Sequence, residues 1–516
     1  MFKLKKYQQT TLDQLQKYFE QIKFFGAEGA FQKIHPTYNY HKIKNLEDIP
    51  YVCFRLPTGG GKTYIATKSI SIAANSYLEK KFPVVLWFTP TTTIKTQTIE
   101  AFKRNDHPNR EALERSFCGN VAIFDIEDYT NIRPHDLENK CCVFVSTIQA
   151  FRTNNTNSRR IYAHNENLEP HFAKIPISKQ NLEWSENEEY ADKIKFSFAN
   201  LLSIHKPIII ADEAHNNNTD LSYEVLKRVN PSCIMEYTAT PAKNSNVLHH
   251  VVAMELKIEE MIKLPIVLTI HQTWEQSLSA SVLTTKGLSK IARNDKRYIR
   301  PIALIQAESK NKEITVDIIK KYLIENENIE PEKIAVVTGD QKELDGMNVF
   351  DPSCAIEYVI TIEALKEGWD CPFAYVFCSV AQRYSTKDIE QLLGRVLRMP
   401  YAKSREQEEL NKAYAFVSNC SWQEGIAQLK DRLVDMGFEE NEIPSSIQTF
   451  MPMVLENTHK QSSPEIILNI SDFNTEGFTP EELQKIEIQE TTIGKKIIVS
   501  SISLISEELE QKIINA

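Results

Sequence analysis

The stretch Leu56-Pro57-Thr58-Gly59-Gly60-Gly61-Lys62-Thr63 decides the fold of this chain. It follows an apolar, strand-like run, Tyr51-Val52-Cys53-Phe54, and precedes a segment of helical character over 64–74. A glycine-rich loop between a strand and a helix points successive backbone N–H groups into one concavity. The helix N-terminus adds partial positive charge there, so the concavity suits a polyphosphate. Lys62 then reaches the β- and γ-phosphates of a bound nucleoside triphosphate, and the Thr63 hydroxyl sits on Mg²⁺. The strict pattern asks for glycine where Leu56 stands, so the strand–loop–helix context carries the reading.

Working outward, 516 residues suggest two or three domains. Composition is that of a globular protein, 42% hydrophobic and 25% charged, with no disordered block. Lys+Arg at 60 against Asp+Glu at 69 gives a formal net charge of −9, so a nucleic-acid partner needs a local basic surface. The nine cysteines are scattered, without a C-x-x-C pair, and read as core thiols of a reducing cytoplasm. Met1-Phe2-Lys3-Leu4-Lys5-Lys6-Tyr7 turns polar too soon for a signal peptide, and no apolar run approaches membrane-spanning length. A cytoplasmic protein without a membrane partner is expected.

From 51 to about 240, short apolar runs at 51–56, 84–88, 142–146, 208–211 and 234–238 alternate with helical stretches. Continuous apolar runs are what strands covered on both faces require, and the alternation argues a parallel sheet with crossover helices. A polar stretch over about 152–200 reads as a surface insertion with its own helices. A second alternation has runs at 302–306, 334–338, 358–361, 375–380 and 414–417, and the join lies near Met261-Ile262-Lys263-Leu264-Pro265. The expected fold class is α/β, with domains at 1–260, 261–440 and a small extension, 441–516, of unknown role. Such sheets bind ligands beyond their strand C-termini, so two facing units can close on one nucleotide.

The run Ile208-Ile209-Ile210-Ala211-Asp212-Glu213-Ala214-His215 puts two carboxylates just past a buried strand. Asp212 is expected to hold Mg²⁺ opposite Thr63, and Glu213 to polarise the attacking water. In the second unit, Arg395 and Arg398 lie three apart on a predicted helix and face one side together. Cations placed where charge develops on a transferring phosphoryl group are worth about 10³–10⁵ in rate.

With Asp212-Glu213-Ala214-His215 read beside Thr58–Thr63, the chain resembles the superfamily 2 helicases and translocases of DEAD/DEAH type, motifs I and II. That group tolerates a non-glycine where Leu56 stands. The resemblance implies two tandem RecA-like domains with ATP and Mg²⁺ between them. Tyr7-Gln8 resembles the upstream motif that reads adenine, while Thr89-Pro90 and Ser146-Thr147 resemble motifs Ia and Ib, which contact the nucleic-acid backbone. Thr238-Ala239-Thr240-Pro241 resembles motif III, which implies coupling roles for Thr238, Thr240 and His215. Thr361, Glu367-Gly368-Trp369-Asp370 and the run from Gln391 to Arg398 resemble motifs V and VI. They imply nucleotide contacts from Gly368, Asp370 and Gln391 and a nucleic-acid contact from Thr361.

Leu365-Lys366-Glu367-Gly368-Trp369-Asp370-Cys371-Pro372 and the run from Gln391 to Pro400 are similar to the Res subunit of type III restriction-modification enzymes. Over about 1–440, that resemblance implies an ATPase that moves on duplex DNA, a methyltransferase partner and a separate nuclease domain. A nuclease of that type needs a carboxylate before a strand and then an acidic-x-Lys triplet, and 442–516 offers no such set. The reading is an ATP-dependent translocase without cleavage of its own. The alternatives are an RNA helicase, or a nucleotide-gated scaffold of a defence complex with little turnover. His249-His250 reads as a helix surface pair, and Trp274, Trp369 and Trp422 as packing between the units.

Overall fold

The computed structural model describes residues 3–152, 160–173, 182–184, 194–213, 220–308, 312–338, 343–344, 347–362, 371–380, 392–418, 422–450, 468–470, 486–491 and 494–499. The first sheet holds β1 (Tyr51–Arg55), β2 (Val84–Thr89), β3 (Val121–Asp125), β4 (Cys141–Thr147), β5 (Ile208–Asp212), β6 (Cys233–Thr238) and β7 (Val247–His250), in the order β3-β4-β2-β5-β6-β1-β7. The second holds β8 (Ile266–His271), β9 (Ile302–Gln306), β10 (Ile334–Val337), β11 (Tyr358–Thr361), β12 (Ala374–Ser379), β13 (Ala413–Ser418) and β14 (Ile447–Phe450), in the order β10-β11-β9-β12-β13-β8-β14. Every neighbouring pair in both sheets is parallel. The second order repeats the first strand for strand, with β8 in the place of β1 and β14 in that of β7. The tandem α/β architecture expected from the alternation is present, two sheets in one compact unit, Met1–Pro452. A second unit, Met453–Ala516, contains three antiparallel strands, Leu468–Ile470, Ile486–Thr491 and Gly494–Val499.

The apolar runs are continuous because each strand feeds two cores. In β2, Val85 and Trp87 join one buried cluster, while Val84, Leu86 and Phe88 join the other. Side chains alternate across a strand, so a sheet covered on both faces leaves no polar phase. In the first sheet, β3 and β7 were missing from the sequence reading because they lacked that signature. In β3 only Val121 is buried, and β7 ends in His249-His250, so neither reads as an apolar run. The histidine pair is therefore on an edge strand and not on a helix surface. Burial holds the His249 imidazole down at about 4.

The polar stretch is more than surface. Its described residues include Tyr162, Leu168 and Phe172, all buried in the cluster behind β2, β4 and β5, and a 3₁₀ turn over Glu166–His171. Their spacing follows neither helix nor strand periodicity, which is why composition dominated the reading. Among the described residues, no helix is long and apolar enough to cross a membrane, and eight cysteines are free thiols.

Candidate active site

The phosphate-loop candidate begins where β1 ends. Gly59 (φ +86°) and Gly61 (φ +72°) take left-handed conformations that side-chain-bearing residues rarely adopt. A Cβ on Gly61 would lie 2.8 Å from Gln8 Nε2. Gly61 is the N-cap of the helix Lys62–Ile72 and supplies no side-chain cap, so nothing from the cap residue covers the N–H groups of the first turn. Lys62, the first residue of that helix, places Nζ 2.5 Å from Glu213 Oε1 and 3.4 Å from the Leu56 carbonyl oxygen.

The carboxylate pair sits at the end of β5, two strands from β1 in the sheet. Asp212 is buried, and its Oδ2 accepts a hydrogen bond from Thr63 Oγ1 at 3.1 Å. Burial, then the neighbouring Glu213, pushes its carboxyl up to about 7, against the pull of Lys62 and the Thr63 hydrogen bond. A divalent cation, if bound here, would favour the charged form of this carboxyl. Glu213 has φ +56°, and its N–H donates to the Tyr237 carbonyl at 2.9 Å. A left-handed non-glycine residue at this point aims its side chain back over Lys62.

The N-terminal helix Lys6–Ile34 packs Tyr7 and Gln8 onto the same loop, both buried. The Tyr7 hydroxyl donates to the Gly60 carbonyl at 2.8 Å. Gln8 Oε1 accepts the Lys5 N–H at 3.0 Å, while its Nε2 lies against Gly61. Thr238, at the end of β6, accepts the Leu56 N–H on its carbonyl at 3.0 Å and the Thr240 N–H on its hydroxyl at 3.2 Å.

The second lobe reaches the loop directly. The helical residues 392–396 set Gly394 so close that a Cβ there would meet Thr58 Cγ2 at 2.9 Å. Arg395 lies on this helix and is buried. Arg398 does not share that helix, contrary to the sequence expectation. The helix ends at 396, and Arg398 forms a bridge with Ile262 in the inter-lobe segment. Its Cγ would be 3.9 Å from a Cβ on Gly59, so both arginines come from one segment that abuts the loop by different routes.

The nucleic-acid candidates lie at strand C-termini. Thr89 ends β2 beside Thr147 of β4, and its hydroxyl donates to the Ser146 carbonyl at 3.3 Å. Thr89, Ser146 and Thr361 are buried, while Pro90 and Thr147 are half-buried. His215, Gly368, Asp370 and Gln391 lie outside the described residues, as do Trp369 and the Trp422 side chain. Trp274 packs edge-on against Tyr322 of its own lobe and not between lobes. Sequence reasoning passed over Arg55, Met436, Glu439 and Glu442, which also meet at this cleft. The string Met436-Gly437-Phe438, a glycine after an apolar helix, was the available signal.

Residues 1–243 match the family model described as type III restriction enzyme, res subunit. The EcoPI Res subunit of the type III restriction-modification enzyme of Escherichia phage P1 is 24% identical over 250 residues, 48% of this chain and 24% of that protein. The chain thus spans about a quarter of that relative. Among solved structures, the ATP-dependent type ISP restriction-modification enzyme LlaBIII bound to DNA aligns with 87% of this chain and 31% of its own, at 14% identity and TM-score 0.47. The DEAD-box helicase Mss116 bound to ssRNA and UDP-BeF aligns with 88% and 82%, at 12% identity and TM-score 0.43. The first half of the chain is thus similar to the Res subunits of type III restriction enzymes.

Proposed function

We propose that this chain is an ATPase that moves on duplex DNA, with ATP held between residues 1–260 as one lobe and 261–440, extended by β14, as the other. The observation that carries the reading is the meeting of Lys62, Thr63, Asp212 and Glu213 of one lobe with Gly394 and Arg398 of the other on a single glycine loop. The N–H groups of that loop and Lys62 bind the phosphates. Thr63 and the buried Asp212 form the donor set for Mg²⁺, which when bound neutralises phosphate charge. Incoming phosphate takes Lys62 from Glu213 and frees that carboxylate to orient water. Arg395 and Arg398 stand where the second lobe offers positive charge to the transferring group. Tyr7 holds the Gly60 peptide, and Thr238 ties the start of the loop to the segment over 238–241.

The type III family match favours DNA as the polymer. A methyltransferase subunit and a separate nuclease are the corresponding partners, and the cytoplasm the compartment. DNA held by backbone contacts at strand C-termini binds without sequence preference and with steep salt dependence. Steady-state ATPase, measured without nucleic acid, with linear duplex DNA and with RNA, tests this. Stimulation by duplex DNA that collapses with salt is the expected result. Stimulation by RNA alone would move the protein to RNA remodelling, and no turnover in any condition would leave a nucleotide-gated scaffold.

A further inference from the structure

We infer that residues 436–442 form a clasp that holds the two lobes together over the phosphate loop before any nucleotide binds, with Glu439 and Glu442 as its positioning residues. Both flanks of the segment belong to the second lobe. On one side the helix Trp422–Asp435 ends in a Schellman turn, in which Phe438 N–H donates to Leu433 O and Gly437 N–H to Val434 O, each at 2.9 Å. On the other side β14 pairs with β8. The tip between them is planted on the first lobe.

Four contacts fix it there. The Met436 carbonyl accepts the Thr58 N–H at 3.0 Å, at the start of the glycine loop. Gly437, at φ +92°, lies flat on Ala239, where a Cβ would sit 2.9 Å from the Ala239 carbonyl oxygen. Glu439 Oε1 is 2.8 Å from Arg55 Nη1 and 3.2 Å from His250 Nε2. Arg55 is the last residue of β1, so this carboxylate holds the strand that launches the loop. The Glu442 carboxylate accepts N–H groups of Ala253 at 3.2 Å and Met254 at 2.7 Å, and also the Glu439 N–H at 3.0 Å. Glu442 therefore organises the tip and caps a first-lobe helix at once.

Side chains serving only their own lobe would not place both carboxylates on the other. Lobe separation breaks charge-assisted hydrogen bonds at Arg55 and at Ala253-Met254, and it also releases the Thr58 peptide. The position of the second lobe is thereby wired to the entrance of the phosphate site by protein contacts alone. The consequence for ATP rests on the function proposed above; the closure itself does not.

Two measurements separate the cases. Spin labels at Lys103→Cys in the first lobe and Lys321→Cys in the second, with Cys118, Cys354 and Cys420 replaced by serine, report the inter-lobe distance by pulsed electron paramagnetic resonance. Nucleotide-free protein should give one narrow distribution. The E439A/E442A pair should broaden it and shift it to longer distance, and the charge swap R55E/E439R on intact Glu442 should keep it narrow. In ATPase assays E439A/E442A should raise KM for ATP several-fold with a smaller change in kcat, since the loop is less well held before binding. A broad distribution in the parent protein, or a narrow one in E439A/E442A, overturns the clasp. A clasp-dependent distance in a chain that binds no ATP sinks the functional reading and leaves the clasp standing.

Discussion

The two lobes make the same connection twice and use it differently. In the first, β1 leads through six residues, 56–61, three of them glycine, into the helix Lys62–Ile72. In the second, β8 leads through Gln272 and Thr273 alone into the helix Trp274–Ala292. Thr273 Oγ1 accepts the Gln276 N–H and the Gln276 side chain accepts the Thr273 N–H, each at 3.4 Å, a closed capping box. The second helix is capped by side chains of its own, whereas the first has a glycine cap that supplies none. The neighbouring strands diverge in the same way. β5 ends in Asp212, while its counterpart β12 ends in Ser379, whose hydroxyl donates to Gln306 at 2.9 Å. One backbone plan thus carries a glycine cap at the proposed phosphate site and a closed capping box at the matching junction of the other lobe.

Breaking the first junction should cost the most. Glu213→Gln keeps the shape beside Lys62 but removes the water-orienting carboxylate, so ATP should still bind while turnover falls by about 10²–10⁴; pre-steady-state binding measured beside steady-state ATPase distinguishes the two. Gly61→Val forces a β-branched residue to φ +72° against Gln8. A strain of about 1–3 kcal/mol at that position should weaken ATP by about 5- to 150-fold in a fluorescent-analogue titration, and an unchanged affinity would remove the glycine cradle from the account.

The pH response sharpens the contrast between Asp212 and Ser379. An ordinary aspartate in the unfolded chain loses its proton near 4, and Asp212 holds its proton up to about 7 when folded. Its contribution to stability is complete below about pH 4 and is lost as pH rises through about 7, by up to a few kcal/mol. Asp212→Asn should therefore raise Tm more at pH 8 than at pH 5, and Mg·ATP affinity of the parent protein should climb across pH 7. A Tm gain independent of pH would show that burial does not hold the proton there. The smallest effect belongs to the second junction: Thr273→Ala should cost about 1 kcal/mol in urea denaturation and leave ATP affinity untouched.

The sequence showed the first junction more plainly than the second. Three glycines before Lys62 and two carboxylates after a buried strand form a compact sequence pattern, so the residues that meet there, Lys62 with Glu213 and Thr63 with Asp212, could be picked out beforehand. β8 was hidden because its apolar run directly follows the inter-lobe join, and β7 because two histidines close it. Arg398 was misplaced on a helix because the spacing of Arg395 and Arg398 fits one turn, while the chain leaves the helix to pair with Ile262. The clasp stayed invisible since Glu439 and Glu442 acquire meaning only from Arg55 and Ala253, nearly two hundred positions or more earlier in the chain. Contacts of that range leave no periodic trace.

The central claim is that only the first junction takes a nucleotide. Calorimetric titration of the chain with a non-hydrolysable Mg·ATP analogue tests it most directly, with Lys62→Ala as the paired variant. The account predicts one site per chain, abolished in Lys62→Ala and unchanged in Thr273→Ala. Two sites, or one that survives Lys62→Ala, would contradict it.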